Sequence, residues 1–273
     1  MGGALSRQSD MIGGVTDLET AIDSAARLIA SAKHVVALVG AGLSAESGVP
    51  TFRGPEGIWT KHGEPDTSRD YDAFAADPKG WWERRIEGAG RMADLVTALE
   101  VAQPNPGHIA LREMEEAGWL GHIITQNIDN LHQLAGSRRV TEIHGNRTKL
   151  RCTSCASRWP VDEFPIDELP PHCPDCGGIV KGDTVMFGEP IPKDALDSCV
   201  DQTWKCDLML LVGTSAVVYP AAQFPLDVRR LGGKLIEVNP ERTPLTDLCE
   251  VVLRVPAGES LPLIVERLRQ GVA

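Results

Sequence analysis

An apolar run, Val35-Val36-Ala37-Leu38-Val39, passes straight into Gly40-Ala41-Gly42-Leu43-Ser44-Ala45-Glu46-Ser47-Gly48-Val49-Pro50. A short β-branched run with no polar break reads as a strand buried on both faces, the pattern of a parallel sheet. Small residues at 40, 41 and 42 then let the backbone turn tightly and come close to a ligand. The amides presented at such a junction suit a pyrophosphate. Gly40-x-Gly42-x-x-Ala45 matches the dinucleotide fingerprint, whose last position tolerates alanine. On these six residues alone, an ordinary tight strand-to-helix turn stays open as the other reading. Pro50 stops any regular helix, and Phe52-Arg53-Gly54 sets an aromatic face and a guanidinium beside the turn. Arginine suits bidentate phosphate contacts.

The rest of the chain alternates strand and helix signals. Asp17 to Ala32 carries Leu18, Ile22, Ala25, Ala26 and Ile29 at helical spacing, with Thr16 or Asp17 near the N-cap. Asp77-Pro78 starts another helix, followed by Trp81, Trp82, Ile86, Met92, Leu95 and Leu99. Trp59, Trp81 and Trp82 read as core residues. Helical periodicity returns over Asn105 to Leu120. Strands are expected at Gly121–Thr125, Val140–Ile143, Asp207–Val212, Lys234–Val238 and Val251–Val255. Helices are expected over Asp194–Thr203 and from about Ser260 to Arg269. This alternation implies an α/β, Rossmann-like, doubly wound parallel sheet. The loop at Gln126 to Asp129 then lies at a strand's carboxyl end, where such sheets bind ligands.

Seven cysteines divide into two Cys-x-x-Cys pairs and three single residues, Cys199, Cys206 and Cys249, in apolar surroundings. Cys152-Thr153-Ser154-Cys155 and Cys173-Pro174-Asp175-Cys176 lie 17 residues apart, a spacing that gathers four thiolates around one structural zinc. A full thiolate set leaves no open position for chemistry, and the neighbouring His172 is not needed as a ligand. An odd cysteine count with paired spacing fits a reducing compartment better than a disulfide framework, so a cytoplasmic location is expected. The formal net charge of −11 disfavours broad attraction to nucleic acid, which is not expected as a partner. No apolar run approaches the roughly 20 residues that span a bilayer, so no membrane partner is expected either. Met1 to Gly14 reads as a flexible tail; Met1-Gly2-Gly3-Ala4-Leu5-Ser6 matches the myristoylation pattern only formally.

Five ordered stretches carry a family resemblance. They are Gly40 to Gly54; Thr125-Gln126-Asn127-Ile128-Asp129-Asn130-Leu131-His132; His144-Gly145 with the four cysteines; Phe187-Gly188-Glu189; and Gly213-Thr214-Ser215 with Val218 and Pro220-Ala221-Ala222. Together they resemble the sirtuins, the NAD-dependent protein-lysine deacylases, from about residue 17 onward. The resemblance implies a catalytic domain over 15–273. Its Rossmann-like parts would be 15–53, 104–148 and 182–273. A smaller domain would combine a helical insert, 54–103, with a zinc module, 149–181.

The resemblance also implies roles. His144 corresponds to the family's general base; on its own, a histidine at a strand end reads equally as a loop residue. Asn127 joins it as a catalytic residue. Gly40, Ala41, Gly42, Ser44, Glu46, Phe52 and Arg53 would face NAD, and so would Gln126, Asn127, Ile128 and Asp129 at its ribose and nicotinamide end. Asn127 or Asp129 reads equally as a helix cap. Gly213, Thr214, Ser215, Asn239, Pro240, Glu241 and Ala257 would hold the adenosine half. An acyl-lysine peptide would pair as a strand between Val185, Phe187, Gly188 and Glu189 on one side and Val217 and Val218 on the other. Lys181-Gly182 departs from the Arg-Pro often found in the family.

The implied reaction transfers the acyl group of acyl-lysine to ADP-ribose and releases nicotinamide. An NAD dehydrogenase would need an acidic residue ending a strand about 20 residues past the glycines, and no strand is expected near residue 60. Mono-ADP-ribosyl transfer, or removal of other acyl chains, remains the alternative on this scaffold. Sirtuins that prefer succinyl or malonyl lysine carry a Tyr-x-x-Arg pair, for which this chain has Trp82-Glu83-Arg84-Arg85. Neutral acyl groups, acetyl first, are therefore expected.

Overall fold

The computed structural model describes residues 13–53, 57, 58, 60, 63, 69–88 and 93–271. The expected tail over residues 1–12, with its myristoylation pattern, lies outside the described residues, as do Gly54, Trp59 and Met92.

Six parallel strands form the main sheet in the order β3-β2-β1-β7-β8-β9. These are β1 (Val35–Val39), β2 (His122–Thr125), β3 (Val140–Glu142), β7 (Leu208–Val212), β8 (Lys234–Val238) and β9 (Val251–Leu253). Three shorter antiparallel strands, β4 (Lys149–Cys152), β5 (Arg158–Pro160) and β6 (Val180–Gly182), form a second sheet in the order β5-β4-β6. Among the described residues no strand lies between β1 and β2, which removes the acceptor strand a dehydrogenase would need.

β1 sits at the sheet's centre because both its faces are covered. Val35, Ala37 and Val39 join one apolar cluster, and Val36 and Leu38 join the other. Alternation of side chains across a strand turns one continuous apolar run into two half-cores. Full burial of each such valine or leucine is worth roughly 1.5–3 kcal/mol. The first face is closed by α1 (Gly13–Ser31), α6 (Pro106–Glu116) and α10 (Ala257–Arg269), the second by α8 (Lys193–Lys205) and α9 (Gln223–Arg230). Cys199 and Cys206 are buried in the second cluster and Cys249 packs against it, as expected of single core thiols.

α2 (Ala41–Ser44) and a single 3-10 turn, Ala45–Ser47, follow β1. α3 (Asp70–Ala76), α4 (Pro78–Ile86) and α5 (Ala93–Val101) come before α6, and α7 (Leu131–Ala135) follows β2. The Asp77 carboxylate accepts the Gly80 N–H at 2.9 Å and so caps α4. α4 then drives Trp82 into the small sheet, against Leu150, Cys152, Cys173 and Val180. α5 supplies Leu95 and Leu99 to a separate cluster with Val49 and Leu131.

Two helix boundaries differ from the sequence reading. α1 is helical from Gly13, the first described residue, so Thr16 and Asp17 lie within the helix, and Gly13 and Gly14 are helical where a tail was expected. α10 begins at Ala257, before the apolar periodicity at Leu261 reveals it, and carries Pro262 inside its first turns.

Beneath the sheet's carboxyl edge lies a buried pair of imidazoles. Asn105 caps α6 through its side-chain oxygen, which accepts the N–H groups of Gly107 and His108 at 2.9 and 3.3 Å. His108 Nδ1 accepts the Asn105 N–H in return at 3.4 Å, completing a capping box. His108 and His132 are both buried, with ring centroids 5.2 Å apart. Among the described residues, His108 Nε2 and both ring nitrogens of His132 meet no hydrogen-bond partner. Burial pushes His108 down to about 4 and His132 down to about 3 from the usual 6.5. The unfolded chain therefore binds protons below pH 6.5 that the folded chain refuses. Stability held above that pH is expected to drain away as pH falls toward 4, with each ring adding about 1.4 kcal/mol per pH unit to the slope. Urea midpoints at pH 7.5 and pH 5 check this, and equal midpoints at the two would contradict it.

Candidate active site and metal centre

Three loops at the carboxyl ends of β1, β2 and β7 interlock. The Gly40 N–H donates to Val212 O at 3.0 Å, and the Gly42 N–H to Gly213 O at 2.8 Å. A Cβ at Gly42 would lie 2.7 Å from Gly213 Cα. Gly213, at φ +56°, has room for none either, since its Cβ would meet Leu43 N at 2.3 Å. The sequence reading gave these small residues to ligand approach. Their packing shows a further duty, which is to let two loop backbones touch.

The β2 loop is fastened between them. Gln126 Nε2 donates to Thr214 Oγ1 at 2.9 Å and to Val39 O at 3.3 Å. Asn127 Nδ2 donates to Gly40 O at 3.1 Å and to Ser44 Oγ at 3.0 Å. The Ser44 hydroxyl in turn donates to Asp129 Oδ2 at 2.6 Å. The other Asp129 oxygen caps α7 by accepting the Leu131 N–H at 2.9 Å. The capping reading of Asp129 therefore holds. Burial pushes the Asp129 carboxyl above its ordinary range, against the pull of these hydrogen bonds.

His144 follows β3 and faces the same loop. Its Nδ1 lies 3.1 Å from Gln126 O. A carbonyl oxygen can only accept, so Nδ1 carries the proton and Nε2 keeps its lone pair. Burial lowers the imidazole below its ordinary value, which keeps it neutral and able to take up a proton.

The remaining expected contacts spread around this centre. Asn239 Nδ2 donates to Thr214 O at 3.0 Å, and Asn239 Oδ1 accepts the Glu241 N–H at 3.1 Å, which places Pro240 in the same turn. Ser215 follows Thr214 directly, Ala41 lies between the two glycines, and Ile128 O accepts the Arg147 N–H at 3.0 Å. Glu46 does not point into the cluster: its carboxylate accepts the Gly258 N–H at 3.0 Å, beside Ala257 at the start of α10. Phe52 packs against the Val49–Leu95 cluster, one residue before Arg53.

On the peptide side, the Val185 N–H donates to His144 O at 2.9 Å. Phe187 and Val217 are 44% and 42% exposed, and neither their segments nor Gly188 and Val218 form strands of their own. Glu189, at the end of this segment, turns its side chain inward to Arg151 and Lys181. Two residues of the cluster went unread in the sequence. Asn105 Nδ2 donates to Leu43 O at 2.7 Å and Ser47 Oγ at 3.0 Å, pinning the first loop. Arg254 donates to the carbonyls of Asn239 and Glu241, each at 2.8 Å. Asn before Pro106 does signal a helix start, whereas nothing local marks Arg254.

The four sulfur atoms of Cys152, Cys155, Cys173 and Cys176 lie within 4.8 Å of one another, and all four thiols are free. Cys152 to Cys176 is 3.5 Å and Cys155 to Cys173 is 3.6 Å, close to the edge of about 3.8 Å implied by zinc–sulfur bonds near 2.3 Å. Backbone N–H groups of Ser154 and Cys155 point at Cys152 Sγ, as donors to a thiolate do. The donor set fits one tetrahedral zinc. His172 stands outside it, bonded through Nδ1 to Gly177 O.

A sequence model of the Sir2 family matches residues 40–220. The chain belongs to the Sir2 family, the sirtuins. An NAD-dependent protein deacylase of Thermococcus kodakarensis is 43% identical over 91% of this chain and 96% of its own length. An NAD-dependent protein deacetylase of Caldivirga maquilingensis is 42% identical over 90% of this chain and 93% of its own. The structure of a Sir2 protein with a p53 peptide and NAD+ superposes with a TM-score of 0.72 at 34% identity, covering 92% of this chain and 98% of that one. Membership in the Sir2 family accounts for the order in which the loops and the cysteine cluster occur along the chain.

Proposed function

We propose that this chain is an NAD-dependent protein-lysine deacetylase that passes the acyl group to ADP-ribose and releases nicotinamide. One observation carries the reading: His144 is held as the Nδ1–H tautomer by the carbonyl of Gln126, the residue before Asn127 of the Ser44–Asn127–Asp129 network. NAD, consumed as co-substrate, supplies the ribose carbon to which the acyl oxygen bonds as nicotinamide leaves. Asn127 and Asp129 order the nicotinamide end of the cleft. His144 Nε2 accepts the proton of the ribose hydroxyl that captures the acyl carbon. The glycine loops, Arg53, Asn239 and Ala257 receive the rest of the dinucleotide. The large sheet with its helices forms one part and the helical insert with the zinc module the other, with acyl-lysine peptide entering between Val185–Glu189 and Val217–Val218. Zinc, bound by the four thiolates, holds the small sheet together. Free thiols throughout favour the cytoplasm.

Mass spectrometry of an acetyl-lysine peptide incubated with NAD tests the reading. Free lysine, nicotinamide and acetyl-ADP-ribose are expected; ADP-ribose attached to the peptide would instead support transferase activity.

Acyl preference follows from Trp82. Its indole N–H is spent on Val180 O at 2.9 Å, and the ring is buried in the small-sheet cluster. That N–H is therefore not free to assist a carboxylate as a phenol would, while Arg85 lies over the Trp81 ring at 5.5 Å. The loss of one charge-assisted hydrogen bond should leave kcat/KM for succinyl-lysine at least about tenfold below that for acetyl-lysine on the same peptide. The reverse order would show that Arg85 alone suffices.

A further inference from the structure

The departure at Lys181-Gly182 has a structural counterpart. Lys181, the middle residue of β6, is 0% exposed. Its Nζ donates to Gly182 O at 2.9 Å and Thr184 O at 2.8 Å, and pairs with Glu189 Oε2 at 2.9 Å. The same Glu189 oxygen accepts the Met186 N–H at 2.9 Å, and Oε1 accepts from Arg151 Nη2 at 2.6 Å. Arg151 also holds Asp183 Oδ1 at 2.9 Å, and Asp183 Oδ2 takes the Asn146 N–H at 3.1 Å. Arg158 reaches Asp183 from β5. Two buried cations, Lys181 and Arg151, thus face two buried carboxylates, Asp183 and Glu189.

Residues 182–189 belong almost wholly to a loop, yet one ammonium gathers the carbonyls of 182 and 184 and the carboxylate of 189 around itself. Three backbone bonds tie the loop elsewhere, from the Asp183 N–H to Lys149 O, from the Val185 N–H to His144 O and from the Tyr71 N–H to Phe187 O. Gly188 at φ +80° lets the chain fold back so that Glu189 turns inward while Phe187 faces out. A loop fixed from its buried side can present a preformed edge on its other side, which lowers the ordering cost of docking a peptide.

We propose that Lys181, acting through Glu189, is a positioning residue for the acyl-lysine peptide, holding the 185–189 segment in its docking shape. This rests on the deacetylase reading above. A structural lysine with no such role would alter stability without separating the two substrates; a positioning lysine acts on the peptide and spares NAD.

The test measures kcat and both KM values for Lys181→Met, Lys181→Arg and Glu189→Gln. Lys181→Met and Glu189→Gln are expected to raise peptide KM about tenfold or more while NAD KM stays within about twofold. Lys181→Arg keeps the charge and reach for Glu189, and is expected to restore peptide KM to near the unsubstituted value. Removing one member of a buried ion group costs stability. If Lys181→Met does not fold, Glu189→Gln, which keeps its size and an acceptor for the Met186 N–H, gives the reading. Peptide KM unchanged in the folded variants, or both KM values rising together, overturns the positioning role while the deacetylase reading stands. An unsubstituted protein that leaves acetyl-lysine intact overturns that reading, and this proposal with it.

Discussion

His144→Ala is expected to lower deacetylation by a factor of roughly 100 or more, the scale of lost general-base help. The substitution removes the only ring nitrogen whose lone pair is set free by the bond to Gln126 O. It leaves the Ser44–Asn127–Asp129 network untouched, because none of those hydrogen bonds involves the imidazole. Exchange of labelled nicotinamide into NAD, which reports the step before that proton transfer, should therefore survive better than product formation. Equal loss of both activities in a folded variant would contradict the assignment.

Loss of zinc should have the larger structural effect. Cys152 and Cys173 are buried in the cluster that holds Trp82, Leu150 and Val180, so the metal and this small core depend on each other. Zinc binding to such thiolate sets contributes on the order of 10 kcal/mol of folding free energy. Cys152→Ala, or exhaustive chelation, is expected to melt the three-stranded sheet and abolish deacetylation. Because Arg151 precedes Cys152 and grips Glu189, disorder there would reach the peptide segment directly. Metal analysis of the unsubstituted chain should give one zinc per chain, and far-UV and tryptophan signals should report the loss. A chelated protein that keeps its activity would rule out this coupling.

What the sequence disclosed and what it hid divide along a physical line. Val35–Val39 and the Cys-x-x-Cys pairs speak through spacing of a few residues, so strand, turn and metal cluster could all be read without coordinates. His144 owed its role to resemblance; only the fold supplied the Gln126 carbonyl that fixes its tautomer. Asn105 and Arg254 escaped because their partners, Leu43 for one and Glu237 for the other, are chosen by tertiary packing. Gly40 and Gly42 were found, but their contact with the β7 loop was not, since loop-on-loop contact leaves no mark distinct from ligand approach. The ion pairs of Glu189 escaped for the same reason: Arg151 and Lys181 are brought beside it by the small sheet and not by neighbouring sequence.

The bond from the Gly258 N–H to Glu46 joins residues 212 positions apart, and β1 is flanked on one side by β7, from the far half of the chain. A polypeptide emerging from the ribosome has its first dinucleotide loop in hand long before the strand and helix that brace it exist. Contacts of such long separation are slow to form, and the apolar run Val35–Val39 must wait for Leu208–Val212 with one edge uncovered. Competence thus arrives late in synthesis, when α10 closes over the loop, and a nascent chain stalled before residue 257 would carry His144 and every zinc ligand without the helix that braces its first loop.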